Sequence, residues 1–276
     1  MAVATATVLG RPVWYELMTT DMKAAESFYK TVVGWTTEPF AGAGQPYTAL
    51  NRNGKVGVGG IMGRPSEVKA PPFWAMYLAV PKLEDAVAQI TRRGGKTHTD
   101  VISIKDVGRM QLMMDPQGAA FYIIEPASSE QRPEAAPEIG DVSWHELATT
   151  DADAALKFYQ EVFHWQLDST MDMGEMGQYL MFKRPTGHGR IGGIMNKPPQ
   201  MASVPPNWQI YFRVPDVDAA AAHQGSRRED PQWPDGRAGR RPDRERHGPA
   251  RRRFRAPREE EGGLVGAASM RPGDCG

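Results

Sequence analysis

Residues 14–35 read WYELMTTDMKAAESFYKTVVGW, and residues 144–165 read WHELATTDADAALKFYQEVFHW, with 12 of 22 positions identical at an offset of 130. A self-match of this length makes the chain a tandem of two related units, and the fold is decided by what one unit contains. The match continues outward: GGIMGRP at 59 returns as GGIMNKP at 192, and PPFWAMYLAVPKLEDAVA at 71 returns as PPNWQIYFRVPDVDAAAA at 205. The first unit spans residues 10–126 and the second begins at 140. Residues 127–139 between them, rich in Pro, Ser and Glu, read as an exposed linker.

Within a unit the pattern is mixed. WYELM alternates faces as a half-buried strand does, then Asp21 stands where a helix N-cap belongs, and Ala24, Ala25, Phe28, Tyr29 and Val32 recur at helical spacing. Strands follow around YTALNRNG and KVGVGGIM. WAMYLAV opens a second round, with a helix from about Leu83 to Arg93 and strands around RMQLMMD and AAFYIIE. Each unit is therefore a pair of β-α-β-β-β modules, and the fold class is α+β.

The repeat stops at residue 222. Residues 1–222 hold 20 Lys+Arg against 24 Asp+Glu, whereas residues 223–276 hold 13 against 9, and those 13 are all Arg. No Val, Ile, Leu or Met stands between Asp218 and Gly263, where the repeat demands a helix and three strands. Such a segment has little to bury, so a second unit cut short over 140–222 and a disordered tail over 223–276 are expected. The stretch RERHGPARRRF at 244–254 invites a reading as a nucleic-acid-binding arm. That reading leaves the missing half-unit unexplained.

A shifted reading frame explains both. Back-translating residues 223–235 with permitted codons and reading one base later allows IKAAGGKILNGPM, in register with ITRRGGKTHTDVI of the first unit. The same operation on HGPARRRF (247–254) allows MDPQGAAF, identical to residues 114–121, and EEEGGL can become three lysines, two alanines and a stop. The hypothesis is that an insertion or deletion near codon 222 moved the frame. No nucleic-acid partner is then expected.

The residues WxELxTTDxxAAxxFYxxVxxW, the Gly-Gly hairpin and DPQGAAF resemble the vicinal oxygen chelate superfamily, which includes glyoxalases, bleomycin-resistance proteins and extradiol dioxygenases. The resemblance implies curved mixed sheets with the helices outside and a cup inside, and in the enzymes a divalent metal held in that cup by His and Glu. Carried onto this chain, the first-strand ligand position falls on Trp14 and Trp144, the third-strand position on Ala75 and Gln209, and the last-strand position on Tyr122. None is a usual donor for a divalent cation, so no metal ligand is assigned.

Period-two alternation instead lines the first cup with Trp14, Glu16, Tyr77 and Tyr122, and the second with Trp144, Glu146, Gln209 and Tyr211. An aromatic pocket with one carboxylate suits a small organic ligand with a cationic or hydroxyl group. Glu16 and Glu146 are the candidate catalytic groups, each a general base or a structural carboxylate. His145 adjoins Glu146 but points to the opposite face, so the two cannot chelate one ion. Two functional classes follow. One is a bleomycin-resistance-like protein holding a small ligand between its two units, with no cofactor. The other is a metal-dependent lyase or dioxygenase.

The remaining bounds are brief. Cys275, the one cysteine, cannot form an intramolecular disulfide. No apolar run approaches 18 residues and the N-terminus lacks the form of a secretory signal. The expectation is a cytoplasmic protein, monomer or homodimer, with no membrane partner.

Overall fold

The computed structural model describes residues 8–66, 68–128, 134–187, 189–226 and 263–267. The first unit runs β1 (Arg11–Thr19), α1 (Met22–Val32), β2 (Thr36–Pro39), β3 (Tyr47–Arg52) and β4 (Val56–Gly63), then β5 (Phe73–Ala79), α2 (Leu83–Arg92), β6 (Lys96–Thr97), β7 (Ile102–Ile104), β8 (Gly108–Met114) and β9 (Ala120–Pro126). The second runs β10 (Val142–Thr149), α3 (Ala152–Phe163), β11 (Gln166–Asp172), β12 (Gln178–Lys183), β13 (Arg190–Asn196), β14 (Asn207–Val214), α4 (Val217–Ser226) and β15 (Gly263–Ala267). The Asp21 and Asp151 carboxylates accept from the Ala24 and Ala154 N–H groups, both at 2.9 Å, so the TTD of each copy starts its helix as read.

Each unit makes its own mixed sheet. The first has nine strands in the order β2-β3-β4-β1-β5-β9-β8-β6, with β7 on β8. The two modules join at β1, which runs parallel to β4 and antiparallel to β5. The second sheet, β11-β12-β13-β10-β14-β15, repeats this join at β10.

One apolar core serves both units. It takes Tyr15, Leu17, Trp74 and Phe121 from the inner face of the first sheet, Leu147, Trp208 and Phe212 from the second, and the apolar stripes of the helices between them. Repeat-related residues close this interface in pairs. Trp35 Nε1 donates to the Gly140 carbonyl at 2.8 Å, and its counterpart Trp165 donates to the Gly10 carbonyl at 3.0 Å. Tyr15 and His145, counterparts of each other, meet through the Tyr hydroxyl and Nε2 at 2.7 Å. The units therefore pack about a pseudo-twofold axis, with that pair upon it.

Beneath the paired tyrosines of the two helices the symmetry fails. Trp74 and Trp208 donate to the hydroxyls of Tyr29 and Tyr159 at 2.9 and 3.1 Å. Tyr159 then donates to Asp115 of the DPQG turn at 3.0 Å, whereas Tyr29 has no carboxylate beneath it among the described residues. The residue in register with Asp115 is Gly248, whose codons permit Asp in the shifted frame. Tyr159→Phe breaks two bonds and Tyr29→Phe one. The first is therefore expected to cost about 1–2 kcal/mol more in a denaturant melt. A gene that keeps Asp at codon 248 in its restored frame should abolish the difference. If the bases after codon 222 do not encode IKAAGG and MDPQGAAF in the next frame, the hypothesis falls.

Two expectations about the C-terminal region need amendment. The helix after β14 runs on to Ser226 rather than stopping at 222. The edge of β14, which a unit cut short at 222 would leave unpaired, is paired antiparallel by Gly263–Ala267, from Val214 opposite Gly263 to Ile210 opposite Ala267. That segment, GLVGA, carries the first Val or Leu after Val217, and an open strand edge recruits such a stretch. The rest of the tail, including the arginine-rich run and the disorder expected of it, lies outside the described residues.

Candidate functional site

The site is built on the sheet faces that point away from the shared core. In the first unit the register sets Trp14 opposite Tyr77 on β5, and Tyr77 beside Tyr122 on β9. Tyr77 donates to Glu16 Oε1 at 2.9 Å, and its ring stacks on that of Tyr122 at 4.3 Å between centroids, tilted by 5°. Trp14 Nε1 donates to the Tyr47 hydroxyl at 2.8 Å, which hydrogen-bonds Glu16 in turn. Burial pushes the Glu16 carboxyl above its ordinary range, and the Tyr77 and Tyr47 hydroxyls act against that shift. Burial likewise pushes Tyr122 up to about 12, helped by the nearby Glu16 charge.

The second unit repeats the arrangement. Trp144 Nε1 donates to Tyr179 at 2.8 Å, Tyr179 donates to Glu146 Oε2 at 2.8 Å, and Tyr211 donates to Glu146 Oε1 at 3.1 Å. Tyr211 also lies 3.4 Å from Gln209 Oε1. The four residues predicted for each cup thus come together, apart from Tyr47 and Tyr179, which the alternation argument missed. Their signal was present in the Gly-Gly repeat. A Cβ on Gly60 would lie 2.1 Å from the Tyr47 hydroxyl oxygen, and one on Gly193 would lie 2.2 Å from the Tyr179 ring. Each glycine clears the floor on which the tyrosine lies.

The two cups differ in one decisive respect. The first is filled by its own side chains: Met18, Met62, Met110 and Ile124 pack with Tyr77 and Tyr122, and Glu16 is only 7% exposed. The pocket expected there is closed. In the second, Ala148 replaces Met18, and β15, on the edge of β14 that corresponds to the β9 edge of β5, sets Gly266 opposite Tyr211 where the first unit has Tyr122 beside Tyr77. Trp144, Glu146, Gln209 and Tyr211 are half-buried.

A site between the units, the other expected location, is largely occupied by the shared core. What remains is a cleft of about 300 Å³ bordered by Tyr15, Arg52, Asp141, Ser143, His145 and Arg190. Its charges are neutralised locally, with Arg52 on Asp141 at 3.0 Å and Arg190 on Asp168 at 2.7 Å. His145 forms part of this wall and faces away from Glu146, as alternation requires. Its Nδ1 lies 2.6 Å from the Ile191 carbonyl, and burial pulls its pKa down to about 4. Met110 belongs to the first cup and Met113 to the core, while Arg109 pairs with Glu84 and Glu125 at the surface.

The donor set does not fit a metal of the kind the fold family uses. Each cup offers one carboxylate, already hydrogen-bonded by phenols, and Trp, Ala, Gln or Tyr at the positions that the resemblance implies for ligands. Among the described residues no group of three or more His, Cys, Asp or Glu could hold an ion.

Paired β-α-β-β-β modules with a cup on the open face define a glyoxalase-type fold. A family model for the Glyoxalase/Bleomycin resistance protein/Dioxygenase superfamily matches residues 141–255. The chain is 35% identical over 217 residues to "Putative glyoxylase CFP32" of Mycobacterium tuberculosis, covering 77% of this chain and 80% of the relative. It is 27% identical over 231 residues to the anthracycline biosynthesis protein DauV of Streptomyces sp. strain C5, covering 76% and 79%. The protein belongs to this superfamily. Solved structures agree on the fold. The Mn(II)-bound glyoxalase from Novosphingobium aromaticivorans superposes with a TM-score of 0.51 at 17% identity, over 69% of this chain and 62% of that one. A mutant of 4-hydroxymandelate synthase from Streptomyces coelicolor gives 0.57 at 14% identity, over 79% and 75%. Among the described residues no helix is long and apolar enough to cross a membrane.

Proposed function

We propose that this protein binds a small organic ligand in a glyoxalase-type cup without a resident metal. The observation that carries the reading is the Trp–Tyr–Glu–Tyr network, built twice by repeat-related residues, with Trp14 and Trp144 at the position that the resemblance implies for the first-strand metal ligand. Keeping a network in two copies that have diverged elsewhere supports a shared purpose for it. In this reading the two units, 10–126 and 140 onward, each contribute one cup. Glu16 and Glu146 anchor hydrogen bonds, and a buried carboxyl such as Glu16, held toward its neutral form, can donate as well as accept.

The rival is a metal-dependent lyase or dioxygenase, favoured by the name of the mycobacterial relative and by the fold shared with the Mn(II)-bound glyoxalase. Elemental analysis of the purified full chain separates the two. The expected result is no stoichiometric Zn, Ni, Mn or Fe, and ligand binding unchanged by a chelator. A stoichiometric metal whose removal abolishes turnover would establish the rival.

A further inference from the structure

The two cups share their network but not their surroundings, and the difference bears on what can bind. In the first cup the Tyr77 and Tyr122 rings cover each other and methionines fill the space. In the second, among the described residues, none of the Trp144, Tyr179 and Tyr211 rings stacks on another aromatic ring, and Glu146 has no Lys, Arg or His partner. Most donors are already committed: the Trp144 N–H goes to Tyr179 and both tyrosine hydroxyls go to the carboxylate, which leaves the Gln209 side-chain amide as the donor among these five residues. What the second cup offers an incoming molecule is therefore mainly acceptors, namely the remaining lone pairs of Glu146, the Gln209 carbonyl and the faces of the half-buried Trp144 and Tyr211 rings. An anion finds one amide donor and, beside it, the repelling Glu146 carboxylate, whereas an ammonium group finds that carboxylate flanked by π faces. Arg213, next along the same face of β14, is tied to the linker by a bond from Nη1 to the Pro137 carbonyl at 2.6 Å.

The missing Tyr122 counterpart holds in either reading frame. Position 255, in register with Tyr122, is Arg here. Read one base later, any Arg codon followed by the Ala codon of residue 256 yields only Val, Ala, Glu or Gly. No aromatic residue can stand there to stack on Tyr211.

Resting on the ligand-binding reading above, we propose that the second cup, formed by Trp144, Glu146, Tyr179, Gln209 and Tyr211, is the binding site, and that its ligand carries an ammonium group on an aromatic or apolar body. The test uses the full chain labelled with ¹⁵N, with the Trp144 indole signal assigned from Trp144→Phe, titrated with phenethylammonium, 2-phenylethanol and 3-phenylpropionate. Phenethylammonium is expected to move the Trp144 signal with a Kd at least tenfold below that of the alcohol, with the carboxylate weaker still, and Glu146→Gln should erase the preference. The ranking on the unsubstituted chain decides the matter even if Glu146→Gln does not fold. Equal affinities for the three compounds, a preference that survives in Glu146→Gln, or a response at Trp14 in place of Trp144 overturns the cation site while leaving a ligand cup. If none of the three moves either indole, the ligand-binding reading falls with it.

Discussion

Trp165→Ala is expected to lower the free energy of unfolding by about 3–5 kcal/mol, and to loosen both units together. Trp165 is 2% exposed, stacks on Phe182 at 4.5 Å and Tyr159 at 5.1 Å, and meets Trp208 edge-on at 5.9 Å. Truncation removes these contacts and leaves a cavity that rigid neighbouring rings cannot collapse into. It also strips the Gly10 carbonyl, which begins the first unit, of the N–H that reaches it from the second. Because the core is shared, the loss crosses the boundary between units. Denaturant melts measure the size of the effect, and hydrogen exchange measures its spread. A loss below about 1 kcal/mol, or deprotection confined to β10–β14 and α3, would contradict the shared core.

Acidification from pH 6.5 to 4 is expected to remove about 3 kcal/mol of stability through His145 alone. Burial keeps the folded imidazole neutral down to about pH 4, while its ordinary value is 6.5. Between those values the unfolded chain binds a proton that the folded chain does not, so each unit of pH drop costs the fold about 1.4 kcal/mol. Above 6.5 the contribution is constant, and below 4 the loss is complete. Glu16 and Asp115, whose carboxyls burial pushes up, work in the opposite sense because the folded state takes their protons first. The His145 contribution is isolated by comparing the chain with His145→Gln in urea melts at several pH values. The stability difference between the two should change by about 3 kcal/mol across the window. A difference that is flat with pH would show that the imidazole is not held neutral at the pseudo-twofold axis.

How much of this was legible beforehand depends on the range of the interaction. Asp21 and Asp151 act within three residues of their own position, so the caps could be read directly. Strand alternation at 14–17 and 144–147 fixes which side chains share a face, so the separation of His145 from Glu146 followed from period two. Tyr47 and Tyr179 could not be placed that way. Their contact with the first strand is bridged by β4 and β13, and depends on glycines whose role is visible only once the rings lie over them.

The tandem repeat by itself determined the two-unit α+β architecture and the Trp, Glu and Tyr of each network that stand on the first and fifth strands of a unit, because residue type and local periodicity carry that information, while the metal positions were implied by the family resemblance. The tertiary structure decided which cup is open, since Met18 against Ala148 and the stack of Tyr122 on Tyr77 act between strands distant in sequence. It also decided that the helices of both units share one core, which displaces the binding faces to opposite sides. That arrangement follows from burying two apolar sheet faces at once, a choice no single strand or helix can encode.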